Sequence, residues 1–104
     1  MAKSGSFIVV GEFEVDPADR DLVVDMLLEN RRQTLATEQG CRSYEVCTSE
    51  DDNPARIYMV ESYDDRAAFE AHKTTPHFAV WEKHGAPLIR ERGVMFLKRN
   101  LMDA

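Results

Sequence analysis

At 104 residues the chain is the size of one domain, and a chain this short buries only about two thirds of its unfolded surface, so a partner is expected. An apolar fraction of 43% and a charged fraction of 31% are those of a globular protein; no apolar run approaches the roughly 20 residues that span a bilayer, and no signal-peptide pattern follows Met1. A net charge of −6 without a basic stripe argues against nucleic acid as a partner and leaves the cytoplasm as the expected location.

A single domain is expected over residues 1–104, with residues 1–5 disordered. Phe7 to Val15 is rich in β-branched and aromatic residues and reads as a first strand. Asp16-Pro17 then opens a helix, with Asp16 as its cap and Pro17 at a position that needs no donor, and the helix is expected to run to about Glu38 before Gly40. Val23, Met26, Leu27, Asn30 and Thr34 share one stripe of it, which turns polar in its second half. Cys41 to Thr48 and Arg56 to Tyr63 read as an antiparallel hairpin around the polar turn 49–54. Cys41 and Cys47 on one strand would stand about 20 Å apart, beyond disulfide reach, and there is no Cys-x-x-Cys.

The stretch from Glu61 to Trp81 carries the chemistry. Asp64 is placed to cap a short helix, and Thr75-Pro76 starts a second. Phe69 and His72, at i and i+3, share an inward face, so the imidazole is expected to be buried among apolar groups. Val94 to Leu101 reads as the last strand. The order is β-α-β-β-α-β with its second helix broken, an α+β, ferredoxin-like protomer with an antiparallel sheet. In the first strand Phe7, Val9, Phe13 and Val15 oppose Ile8 and Val10; in the third, Ile57, Met59 and Tyr63 oppose Tyr58 and Val60. Both sheet faces are apolar while helices cover one, so a second copy packed sheet to sheet, a homodimer, is expected.

Glu61-Ser62-Tyr63, Ala68-Phe69 with His72, Thr75-Pro76-His77-Phe78 and the run from Glu38 to Tyr44 resemble the antibiotic biosynthesis monooxygenase family. The resemblance implies a dimeric α/β barrel acting on a small molecule without a cofactor, in a site between sheet and helices. It covers branches of different chemistry, small quinol monooxygenases and the isomerase of the phosphorylated autoinducer-2 signal. The haem-degrading branch has an Asn, a Trp and a His where this chain has Glu12, Tyr63 and Glu82, so haem degradation is not expected.

Cofactor-free oxygenation needs a base that removes a phenolic or enolic proton, so that the anion itself can pass an electron to oxygen. A neutral imidazole suits this task, and a tyrosine hydroxyl can steady the anion. His72 is therefore the expected base and Tyr63 its catalytic companion, although Tyr44 and Tyr58 also lie on strands. Asn30, Thr34, Phe69, Phe78 and Trp81 are the expected substrate-binding residues. No metal is expected, because His72, His77, Glu82 and His84 offer no i, i+4 pair of histidines. His77 reads as an exposed or structural residue, Glu61 as structural, and Arg90 and Arg92 as a solvated helix end, or as phosphate ligands if the protein is the isomerase. The expected function is a cofactor-independent monooxygenase of a quinol-like or enolisable substrate. The alternatives are an isomerase of a phosphorylated hydroxy-diketone and a ligand-binding dimer without turnover.

Overall fold

A computed structural model describes residues 5–100. Four strands, β1 (Phe7–Val15), β2 (Cys41–Asp52), β3 (Ala55–Tyr63) and β4 (Ile89–Lys98), form one sheet in the order β2-β3-β1-β4 with every neighbouring pair antiparallel. Three helices, α1 (Arg20–Thr37), α2 (Arg66–His72) and α3 (Pro76–His84), complete the ferredoxin-like α+β order.

Side-chain alternation decides which face of the sheet is covered. Val9, Phe13 and Val15 on β1 and Ile57, Met59 and Tyr63 on β3 are buried toward the helices, as their period of two requires. Val23 and Leu27 of α1 pack onto them, and Asn30 and Thr34 continue the buried stripe as the sequence suggested, with Met26 half-buried beside it. Trp81 from α3 stacks on Phe13, ring centroids 5.6 Å apart. Gly85 follows α3 because a Cβ there would fall 2.1 Å from the Trp81 ring.

Several local expectations are corrected. Asp16 accepts from the Ala18 amide, but Pro17–Asp19 forms a 3₁₀ turn and the α-helix proper starts at Arg20, ending at Thr37 with Glu38 as its C-cap. The cap of α2 is Asp65, which accepts from the Ala68 amide; the Asp64 carboxylate instead accepts from Arg42 at 2.7 and 3.0 Å. Strand β2 runs on to Asp52, leaving Asn53-Pro54 as the turn, and β4 begins at Ile89, so Arg90 and Arg92 lie on a strand rather than at a helix end. The last strand, expected over Val94 to Leu101, starts five residues earlier and ends at Lys98, Arg99 and Asn100 lying beyond it, while the expected disorder of residues 1–5 falls largely outside the described residues. Gly5 is described, buried in a turn with φ 72°, which only glycine adopts cheaply. Cys41 and Cys47 are both free thiols. Among the described residues no helix is long and apolar enough to cross a membrane.

Candidate functional site

Between the helices and the covered sheet face lies a cavity of about 270 Å³. Its floor is strand residues, Val9, Phe13, Met59 and Glu61, and its walls are Leu27 and Asn30 of α1, Phe69 and His72 of α2, and Phe78 and Trp81 of α3. The rim is different in kind, since Lys73, Glu82, Arg92, Val94 and Phe96 are all exposed. An apolar chamber with a few polar groups and a charged rim fits a small, partly polar ligand.

His72 ends α2, and its side chain is 3% exposed. Burial pushes its imidazole below the usual histidine range, while the hydrogen bond it donates to the Glu38 carboxylate pulls the other way. Nδ1 lies 2.9 and 3.1 Å from the two Glu38 carboxylate oxygens. An ionised carboxylate can only accept, so Nδ1 carries the proton, and Nε2 keeps its lone pair for the cavity that His72 lines. The local chain fixes this ring twice over. Thr75 Oγ1 donates to the His72 carbonyl at 2.8 Å and accepts from the Phe78 amide, tying the end of α2 to the start of α3. Phe78 then meets the His72 ring edge-on at 5.2 Å.

A second carboxyl faces the same space. Glu61 is 7% exposed, and burial pushes its carboxyl up to about 7 despite the hydrogen bond donated by Tyr63, 2.6 Å away. Tyr63 itself is fully buried with its ring 5.8 Å from that of His72, and it is not among the cavity-lining residues; its hydroxyl reaches the cavity only through Glu61. Tyr44 does line the cavity, donating to Asn30 Oδ1 at 2.9 Å. Asn30 in turn donates from Nδ2 to the His77 carbonyl at 3.2 Å and receives the Thr34 hydroxyl at 3.4 Å. Burial, with the negative charges of Glu61 and Glu38 nearby, holds the Cys41 thiol up at about 12, which makes it inert at neutral pH.

Of the residues expected from sequence, His72, Asn30, Phe69, Phe78 and Trp81 meet on this one cavity. Thr34 stands behind Asn30 and Tyr63 behind Glu61. Sequence reasoning gave Glu38 no role in the site and read His77 as exposed or structural; of these the structure excludes the exposed one, since the His77 side chain is 11% exposed and its Nε2 is 2.5 Å from Glu38 Oε2. No local spacing could have joined Glu38 to histidines 34 and 39 residues away. Lys73 was also missed as a cavity residue, and Arg92, weighed only as a phosphate ligand at a helix end, takes its place on the cavity from a strand, on the helix side opposite Phe13. As for metal-type donors, Glu38, His72 and His77 form a cluster among the described residues, their ligand atoms all within 4.8 Å of one another.

Solved structures with the same fold include a Nitrosomonas europaea protein named for antibiotic biosynthesis monooxygenases, 20% identical with a TM-score of 0.86 over 97% of this chain and 96% of the other. The PA3566 protein of Pseudomonas aeruginosa is 22% identical with a TM-score of 0.83, over 97% of this chain and 100% of its own. Rv0793 of Mycobacterium tuberculosis is 26% identical with a TM-score of 0.79, over 94% and 97%. The sequence model of the antibiotic biosynthesis monooxygenase family matches residues 6–84, which span β1, all three helices and the whole Glu38–His72–His77 grouping, so the chain belongs to that family.

Proposed function

We propose that this protein is a small cytoplasmic enzyme that deprotonates a quinol-like or enolisable substrate in the cavity between sheet and helices, and lets the resulting anion react with dioxygen. The observation that carries this is the buried His72, whose Nδ1 is held by Glu38 while the ring lines an apolar cavity. His72 Nε2 takes the hydroxyl or α-carbon proton. The electron-rich anion gives one electron to dioxygen, the two radicals join to a peroxide that takes the proton back from the His72 imidazolium, and loss of water leaves one oxygen atom in the product, a balance that needs no cofactor of the enzyme. Phe69, Phe78 and Trp81 hold the flat part of the substrate, and Asn30 and Tyr44 shape its polar edge. Tyr63, through its bond to Glu61, sets the position of the second carboxyl, with Thr34 steadying Asn30.

A second reading rests on the rim. Lys73 and Arg92 are cations on the same cavity, and Glu61 is a carboxyl able to hold a proton near neutral pH, as returning a proton to a neighbouring carbon would need. These groups suit an isomerase of a phosphorylated hydroxy-diketone, which begins with the same proton removal. The protein is also proposed to act as a homodimer, joined through the sheet face that no helix covers.

Oxygen uptake by the purified protein with naphthohydroquinones and anthrones, beside a folded His72→Ala variant, tests the first reading. Loss of His72 as a general base should lower turnover by roughly 10²–10⁴-fold. Uptake that survives the substitution removes His72 as the base. Absence of uptake, together with proton exchange into a phosphorylated hydroxy-diketone followed by NMR, would instead establish the isomerase.

A further inference from the structure

Three donors from three different segments converge beside the cavity. Glu38 comes from the C-cap of α1, His72 from the last residue of α2 and His77 from the first turn of α3. Their side chains are 13%, 3% and 11% exposed. Nδ1 of His72 and Nε2 of His77 both aim at the same oxygen, Glu38 Oε2, at 2.9 and 2.5 Å. Two imidazole nitrogens meeting on one carboxylate oxygen, with all three ligand atoms within 4.8 Å of one another, bring together the donor types of a three-ligand site with a position left open. A base needs only one of these contacts: the Glu38 bond to His72 fixes the tautomer, and His77 adds nothing to it.

On the side away from the cavity, Glu38 and His77 line a groove of about 540 Å³ between α1 and α3, together with Gln33, Thr37 and Thr75. His72 lines the cavity and is absent from that groove, so the cluster stands in the wall between the two spaces, with an entry path for an ion on one side. The frame is held as well. Thr75 ties the His72 carbonyl to the Phe78 amide, and Asn30 holds the His77 carbonyl, so the backbones under both histidines are anchored. Two imidazoles with one carboxylate favour a borderline transition ion over magnesium or calcium, which take oxygen ligands.

We propose that Glu38, His72 and His77 form a binding site for one divalent transition ion of the zinc type, its fourth position open to the groove between α1 and α3. A nitrogen-to-metal distance of about 2.0–2.1 Å is reached when the carboxylate withdraws slightly and the ion takes the place of its shared oxygen. Each imidazole then carries its single proton on the other nitrogen. For His72 that is Nε2, so the group facing the cavity changes from acceptor to donor. The ion is accordingly no cofactor of the proposed reaction; it exchanges with the base-competent state, and this one consequence rests on the functional reading given above.

The test is metal binding itself, read without turnover. Tag-free, chelator-treated protein is titrated at pH 7.5 with zinc chloride by calorimetry and with cobalt chloride by visible absorption. One ion per chain is expected, with the intense visible bands of four-coordinate cobalt. Affinity should fall at least tenfold in Glu38→Gln and in His77→Ala, each checked for fold by circular dichroism, and stay unchanged in His84→Ala, an exposed histidine of the same helix. Heat without saturation, a cobalt spectrum like that of the free hydrated ion, or equal uptake by the parent and both site variants would overturn the proposal. Either binding result can occur with or without oxygenase activity, so failure here is distinct from failure of the enzyme assay.

Discussion

Glu61 shows how one buried carboxyl links stability to pH. Burial raises it to about 7 from an ordinary 4.5, so between those values the folded chain binds more protons than the unfolded one. Stability therefore falls as pH rises through that window and is lowest above about 7. The full effect is on the order of 3 kcal/mol, because ionising the group leaves a charge in an apolar chamber that accepts a hydrogen bond from the Tyr63 hydroxyl. Glu61→Gln keeps an acceptor for Tyr63 without the charge. Thermal melts should show this variant several degrees more stable than the parent at pH 8, the two converging toward pH 4.5; parallel pH profiles would mean that Glu61 is ionised in the fold throughout. The same residue marks a limit of sequence reading. Its place on an apolar strand was plain, but its place on the same cavity as His72 was not, since the period of a strand tells which face a side chain takes and not what lies across from it.

The α2–α3 turn is where short elements set the site. A seven-residue helix followed by a nine-residue one has little stability of its own, and what holds the two together is a small number of side-chain bonds. Thr75 makes two of them, accepting from the Phe78 amide and donating to the His72 carbonyl. Thr75→Ala should cost about 1–2 kcal/mol in denaturant unfolding, and because it frees the end of α2 it should also slow any His72-dependent turnover. Thr75→Ser, which keeps the hydroxyl, should restore most of both; a serine variant as weak as the alanine one would assign the loss to the missing methyl group. These elements were legible in outline. Asp16-Pro17 and Thr75-Pro76 announce helix starts through chemistry that is local to the chain. Asp64 and Asp65 are adjacent and chemically equivalent as caps, and tertiary bonds decide between them: the Asp64 carboxylate is taken by Arg42 and its amide by the Gly40 carbonyl. Glu38 was invisible for a related reason: its partners come from elements 34 and 39 residues further on, and no rule of spacing reaches that far.

At the scale of the whole molecule, the unfilled requirement is the face of the sheet without helices. Val60 pairs with Val10, and Val10 with Met95, so these three lie in one row across β3, β1 and β4, with Ile8 and Leu97 in the next. Val60, Met95 and Leu97 are 40%, 55% and 45% exposed, while Val10 and Ile8 are half-buried only by their neighbours. A contiguous apolar patch of this kind on a small chain fits an interaction surface, and a second sheet of the same shape would cover it in the proposed homodimer. A stable pairing buries about 800 Å² from each copy, which a sheet of four strands can supply. The parent should then have twice the 11.9 kDa of the chain by light scattering at micromolar concentration. Val60→Glu puts a charge into the middle row without touching the helix side, where Met59 and Glu61 point. It should shift the mass to that of one chain and, because β4 carries both the exposed row and the cavity rim at Arg92, Val94 and Phe96, weaken ligand binding as well. A parent that runs at the mass of a single chain would show instead that the apolar row is tolerated in water, and that the cavity is complete in one protomer.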